Sequence, residues 1–138
     1  MEANIVWKSG LAFNGKTQSG FEIPLDASMD HGGTSTGPAP MELILTGLGG
    51  CTGMDVISIL QKKQQAVTKF EILLHAERSI EHPKVFTEIV LEYVVTGRSI
   101  DADAVKRAIE LSETKYCSVM GMLKKSTTIR TKFTIIEA

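Results

Sequence analysis

The chain has 138 residues, 43% of them hydrophobic and 22% charged, which is enough apolar material for one folded domain and too much for a disordered chain. A formal net charge of -1 leaves no basic field, so nucleic acid and anionic membrane surfaces are not expected as partners. The start MEANIVWKSG lacks the basic and apolar regions of a signal peptide, and no run is read as long enough to cross a bilayer, so the expected location is cytoplasmic.

Ile5-Val6-Trp7 reads as a first strand. Leu11-Ala12-Phe13 reads as a second, with Asn14-Gly15 as a hairpin turn because both residues tolerate positive φ. Gly20 to Leu25 reads as a third strand, and Pro24 places it at a sheet edge. Asp30 to Ala39, rich in Gly, Thr, Ser and Pro, is a loop. Pro40 opens a helix that the residues continue to about Gln65. Its apolar side chains spread over most of the circumference, the mark of a buried helix.

Two strands follow, Thr68 to Arg78 and Val85 to Thr96. In the second, Thr87, Ile89, Leu91, Tyr93 and Val95 form an apolar face, as in an antiparallel sheet packed on one side. Asp101 caps a helix from Ala102 to about Lys115, with Val105, Ala108, Ile109 and Ser112 on one stripe. Val119 to Leu123 suggests a short third helix, and Thr127 to Ile136 a last strand. The order βββ-α-ββ-αα-β predicts an α+β fold, one domain over 1–138, with an N-terminal meander and a long central helix packed on antiparallel sheet.

The stretch GLGGCTGMD, residues 47–55, is where chemistry is sought. Its glycines lack the Lys-Ser/Thr ending of a phosphate loop, and PMELILT before them reads as helix, not strand, which argues against nucleotide binding. Within a helix each interior glycine costs about 0.8–1 kcal/mol relative to alanine. Close approach of a neighbour across Gly47, Gly49, Gly50 and Gly53, as at a dimer interface, would offset that. Cys51 sits among them. A lone cysteine on an apolar helix is more often a buried small hydrophobe than a nucleophile. Cys117, at an apparent helix start, lies where free N–H groups and the helix dipole can hold a thiolate, and Ser118 could cap the same turn. Asp55 lies one turn beyond Cys51; to activate the thiol it would need or orient a cation, and a role as a cap or structural pair competes equally. In the cytoplasm both cysteines rest as thiols. His31, His75 and His82 are scattered, no zinc spacing occurs, and neither metal nor cofactor is expected.

Pro40-Met41-Glu42-Leu43 leading to Gly49-Gly50-Cys51, with Lys115-Tyr116-Cys117 downstream, resembles the OsmC/Ohr family of osmotically inducible and organic-hydroperoxide-resistance proteins. The nearest likeness is its YhfA-type branch, in which GGC is followed by an aspartate. The resemblance spans nearly the whole chain. It implies an intertwined homodimer with sites at the subunit interface and reduction of organic hydroperoxides. Cys51 would be the attacking thiolate, Cys117 the resolving thiol and an external dithiol the reductant, with a glutamate and an arginine holding the thiolate poised.

The chain departs from that pattern. The family's glutamate falls where Met41 stands, and Glu42, nine residues before Cys51, projects to the opposite face of a straight helix. No arginine precedes Arg78, leaving Lys8, Lys16 or a partner subunit to supply the cation, and the proline common after the second cysteine is Ser118. Three functions therefore compete: a hydroperoxide reductase resting on Cys51, Cys117, Glu42 and Asp55; a non-enzymatic ligand-binding or interaction protein on the same fold; and a fold whose thiols are only core residues.

Overall fold

Two three-stranded sheets and three α-helices make up an α+β fold, and the computed structural model describes all residues, 1–138. Contacts divide the chain into two compact units, Met1–Ile44 and Leu45–Ala138.

The first unit is the expected antiparallel meander of β1 (Ala3–Ser9), β2 (Ala12–Thr17) and β3 (Glu22–Leu25). Pro24 lies on β3, an edge strand, as its missing N–H requires. The first turn is not at Asn14-Gly15. It falls at Gly10, whose φ of 54° suits glycine, while Asn14 and Gly15 lie inside β2 opposite Val6 and Ile5. Gly15 serves packing instead: a Cβ there would stand 3.3 Å from both Ile5 Cδ1 and Leu25 Cδ1, so its absence lets the flanking strands close over β2.

The loop after β3 winds around a carboxylate. Asp26 is buried, and its Oδ2 accepts the hydroxyls of Thr34 at 2.8 Å and Thr36 at 2.6 Å, as well as both backbone N–H groups. Five donors, Ala27 N–H included, satisfy this charge without a cation.

The helix α1 (Pro40–Lys62) begins in a capping arrangement: Glu42 Oε1 accepts the Ala39 N–H at 3.0 Å. Beyond Ile44, only one stripe of this helix is buried, Leu48, Gly49, Thr52, Val56 and Leu60. The apolar residues elsewhere on it are half-buried or exposed, Met54 by 74%. By length and composition alone α1 could cross a membrane, contrary to the sequence expectation. Its stripe is spent on the sheet, as in a core helix.

That sheet has the order β4-β5-β6, with β4 at Ala66–Arg78, β5 at Phe86–Arg98 and β6 at Thr128–Glu137. The β4–β5 pair is antiparallel as expected, but β6 joins β5 in parallel, so the sheet is mixed. The helices α2 (Ala102–Leu111) and α3 (Ser118–Leu123) provide the crossover a parallel pair needs. Central β5 carries the core: Ile89, Leu91, Tyr93 and Val95 are fully buried. Asp101 caps α2 through the Asp103 N–H. The second helix ends sooner than its pattern suggests, giving way to a π-turn at Ser112–Tyr116.

The Asp26 loop predicts an acid response. Hydrogen bonds from Thr36 and then Thr34 hold its carboxyl well below the usual carboxylate range. The loop's contribution is therefore complete at neutral pH and drains away as pH falls below the ordinary aspartate value of about 3.9. Urea unfolding followed by circular dichroism should show the parent losing more stability than Asp26→Asn between about pH 7 and pH 3; equal losses would contradict this role.

Candidate thiol site

Three elements of the second unit converge here: α1, central strand β5 and the π-turn between α2 and α3. Cys51 is half-buried on α1, and Cys117 is the buried N-cap residue of α3. The sequence places them far apart; the fold brings Cys51 near enough to Cys117 to raise the Cys117 thiol's pKa.

Cys117 caps α3 with its sulfur, which accepts the Met120 N–H at 3.4 Å; Ser118 is not the cap. The expectation that this helix start would favour a thiolate does not hold. Burial pushes the Cys117 thiol up to about 11, and Cys51 and Asp55 push the same way. One long N–H···S bond offsets only part of that, because removing charge from water outweighs a weak hydrogen bond to sulfur. Cys117 therefore rests protonated.

Behind the thiols runs a chain of buried hydroxyls. Ser112 Oγ donates to Asp55 Oδ2 at 2.9 Å. With that proton committed, the 2.7 Å bond between Thr52 and Ser112 has Thr52 as donor. The 2.8 Å bond between Tyr93 and Thr52 then has the phenol as donor. The direction Tyr93 to Thr52 to Ser112 to Asp55 follows from the acceptor-only carboxylate at its end. Tyr93, Thr52 and Ser112 are fully buried, and burial pushes the Tyr93 phenol up to about 12. Within the chain Asp55 thus meets a hydroxyl, the structural pairing that is one of its two expected roles, and none of the ion pairs includes it.

Ser112 lies on the predicted core stripe of α2, but neither it nor Thr52 nor Tyr93 stands in a motif that points to the thiols. One signal was available. Three hydroxyls at core-facing positions must find partners, and Asp55 is the nearby carboxylate able to end such a chain.

The glycines divide by face. A Cβ on Gly49 would stand 2.9 Å from Leu74 Cδ1, and one on Gly53 3.1 Å from Ile72 Cδ1, so these two admit the side chains of β4. Nothing within the chain lies within 4 Å of a Cβ on Gly47 or Gly50. A cleft of about 530 Å³ follows this side of α1, lined in part by Gly49, Gly50, Gly53, Met54 and Leu74. Glu42 belongs to the first unit, where its carboxylate caps α1. His75 pairs with Glu77 at 2.6 Å on the exposed face of β4. No group of three or more His, Cys, Asp or Glu side chains is arranged to hold a metal ion.

The two thiols should separate by reactivity. Brief iodoacetamide treatment of the folded protein at about pH 8 should label Cys51 and spare Cys117, whose labelling should climb only as pH nears 11. Peptide mass mapping reads this directly, and equal labelling at the lower pH would contradict the site described.

Residues 32–132 match the OsmC-like protein family. Protein YhfA of Escherichia coli K12 is 43% identical over 138 residues, covering 100% of both chains. A solved structure, of a hypothetical protein from Aquifex aeolicus VF5, is 36% identical with a TM-score of 0.88 over 99% of this chain and 96% of that one. The organic hydroperoxide resistance protein OhrB of Bacillus subtilis superposes with a TM-score of 0.65 at 14% identity, covering 97% of this chain and 98% of its own, a likeness of fold alone. By the family match and the full-length identity to YhfA, the chain belongs to the OsmC-like protein family.

Proposed function

We propose that this protein reduces organic hydroperoxides through Cys51 and Cys117, as a cytoplasmic homodimer that an external dithiol recharges. The observation that carries the reading is the thiol pair itself, a half-buried Cys51 close enough to a buried, protonated Cys117 to raise its pKa. Structural relatives named as organic hydroperoxide resistance proteins support that choice of substrate class.

The chemistry balances with these two groups. The Cys51 thiolate attacks a peroxide oxygen, the O–O bond breaks, and the alkoxide leaves as an alcohol after taking a proton, with Cys51 left as a sulfenic acid. The Cys117 sulfur then attacks the Cys51 sulfur; the hydroxyl departs as water with the proton Cys117 had held, and a disulfide forms. The external dithiol reduces it by two exchange steps and is itself oxidised. Asp55 acts behind the sulfurs, through Ser112. Glu42 acts through the helix it caps, holding the start of the segment that carries Cys51.

A homodimer accounts for the uncovered apolar surface in each unit. Every residue of β1 is exposed, Trp7 by 63%, and the meander encloses almost nothing of its own. A three-stranded sheet needs a covered face to be stable. In the second unit Met54 and the open sides of Gly47 and Gly50 present the same need. A second reading, a binding protein without turnover, draws on the engagement of Glu42 as a cap and on the absence of any arginine before Arg78.

The two readings part on one assay. With an organic hydroperoxide and a dithiol, the parent should consume peroxide and Cys51→Ser should abolish consumption. A Cys51→Ser variant as active as the parent overturns the proposal, and peroxide that persists with the parent favours the binding protein.

The dimer has its own test at the open glycines. In a lone chain Gly47→Ala and Gly50→Ala should each stabilise α1 by about 0.8–1 kcal/mol. If a second copy seats against them, the double variant should instead elute as monomer at concentrations where the parent is dimeric. A stabilised variant of unchanged oligomeric state would refute that seating.

A further inference from the structure

Ser112 occupies an unusual place. It ends α2 and opens the π-turn, it is fully buried, and while its N–H closes α2 its hydroxyl and carbonyl serve the thiol region. Its hydroxyl bridges two α1 residues in the turn after Cys51, accepting from Thr52 at 2.7 Å and donating to Asp55 at 2.9 Å. Its carbonyl accepts the Cys117 N–H at 2.9 Å, the five-residue spacing that defines the π-turn. One residue therefore grips the Cys51 helix with its side chain and the Cys117 amide with its backbone.

We propose that Ser112 is a positioning residue for the thiol pair: its hydroxyl, clasped by Thr52 and Asp55, locks the π-turn to α1 so that the Cys117 sulfur is presented to Cys51. This rests on the proposed redox use of the two cysteines. A serine hydroxyl can donate to a carboxylate and accept from a threonine at one small buried site. Without it, Asp55 and Thr52 lose their shared partner, and the π-turn keeps its backbone bond but not its attachment to α1. Protonated Cys117 fits the same picture, since it arrives as a held thiol.

Positioning differs from mere core satisfaction in one measurable quantity, the effective concentration of one thiol at the other. Equilibration of the folded protein with a mixture of oxidised and reduced dithiothreitol measures it. Cys51 and Cys117 give up two protons and two electrons to form a disulfide as oxidised dithiothreitol becomes the dithiol. Ser112→Ala should lower that equilibrium constant at least about tenfold, equivalent to ~1.4 kcal/mol. Tyr93→Phe removes a hydroxyl from the same chain of bonds without touching Ser112 and should stay within about twofold of the parent. Asp55→Ala should fall with Ser112→Ala, and Asp55→Asn, which keeps an acceptor, should fall less; these two decide the matter if Ser112→Ala does not fold.

An equilibrium unchanged in Ser112→Ala or Asp55→Ala, or a Tyr93→Phe value that falls as far, overturns the proposal. A parent that forms no disulfide overturns it together with the redox reading. A parent that forms the disulfide but consumes no hydroperoxide sinks only the hydroperoxide reading and leaves the role of Ser112 standing.

Discussion

The second unit is organised around a single buried carboxylate-terminated chain of hydrogen bonds. Asp55 can only accept, so Ser112 must donate to it, Thr52 to Ser112 and Tyr93 to Thr52. That order ties the central strand, the long helix and the turn before the second cysteine into one arrangement. A buried polar group without a partner costs about 1–3 kcal/mol, so the three hydroxyls hold these elements in one alignment or lose a bond. The meeting of Cys51 with Cys117 is a consequence of that alignment, since the two sulfurs lie on the elements so joined.

A second constraint acts along α1. Four glycines remove side chains from it, on different faces and for two reasons. Gly49 and Gly53 let Leu74 and Ile72 of β4 reach the helix, while Gly47 and Gly50 face open space within the chain. The same helix buries one stripe and leaves other apolar residues uncovered. A helix built this way satisfies its own sheet and still asks for a neighbour, which is why the proposed function includes a homodimer.

Much of the fold could be read because local chemistry and tertiary structure agree. Alternation along β5 marked its core face, Asp101 announced α2, and Cys117 was placed correctly at a helix start. Where the reading went astray, a distant partner decided. Asn14-Gly15 has turn chemistry, yet Ile5 and Leu25 need the space at Gly15, so the turn moved to Gly10. The direction of β6 depends on its crossover, which no strand pattern encodes. The site was half legible. Motifs singled out both cysteines, and spacing put Asp55 on the face of Cys51, but the partner of Asp55 comes from 57 residues away. The helix-start argument for a Cys117 thiolate was sound locally and lost to burial, which is a property of the fold.

The central claim is that Cys51 and Cys117 act as one redox pair. Its most direct test is stoichiometric. Fully reduced protein is given one equivalent of an organic hydroperoxide per chain, with no other reductant, and free thiols and cross-linked peptides are determined by mass spectrometry. The account predicts the loss of both thiols in each chain, one alcohol formed per peroxide, and a single disulfide joining Cys51 to Cys117 within the chain. Intact thiols beside unconsumed peroxide, or Cys51 oxidised while Cys117 stays free, would contradict it.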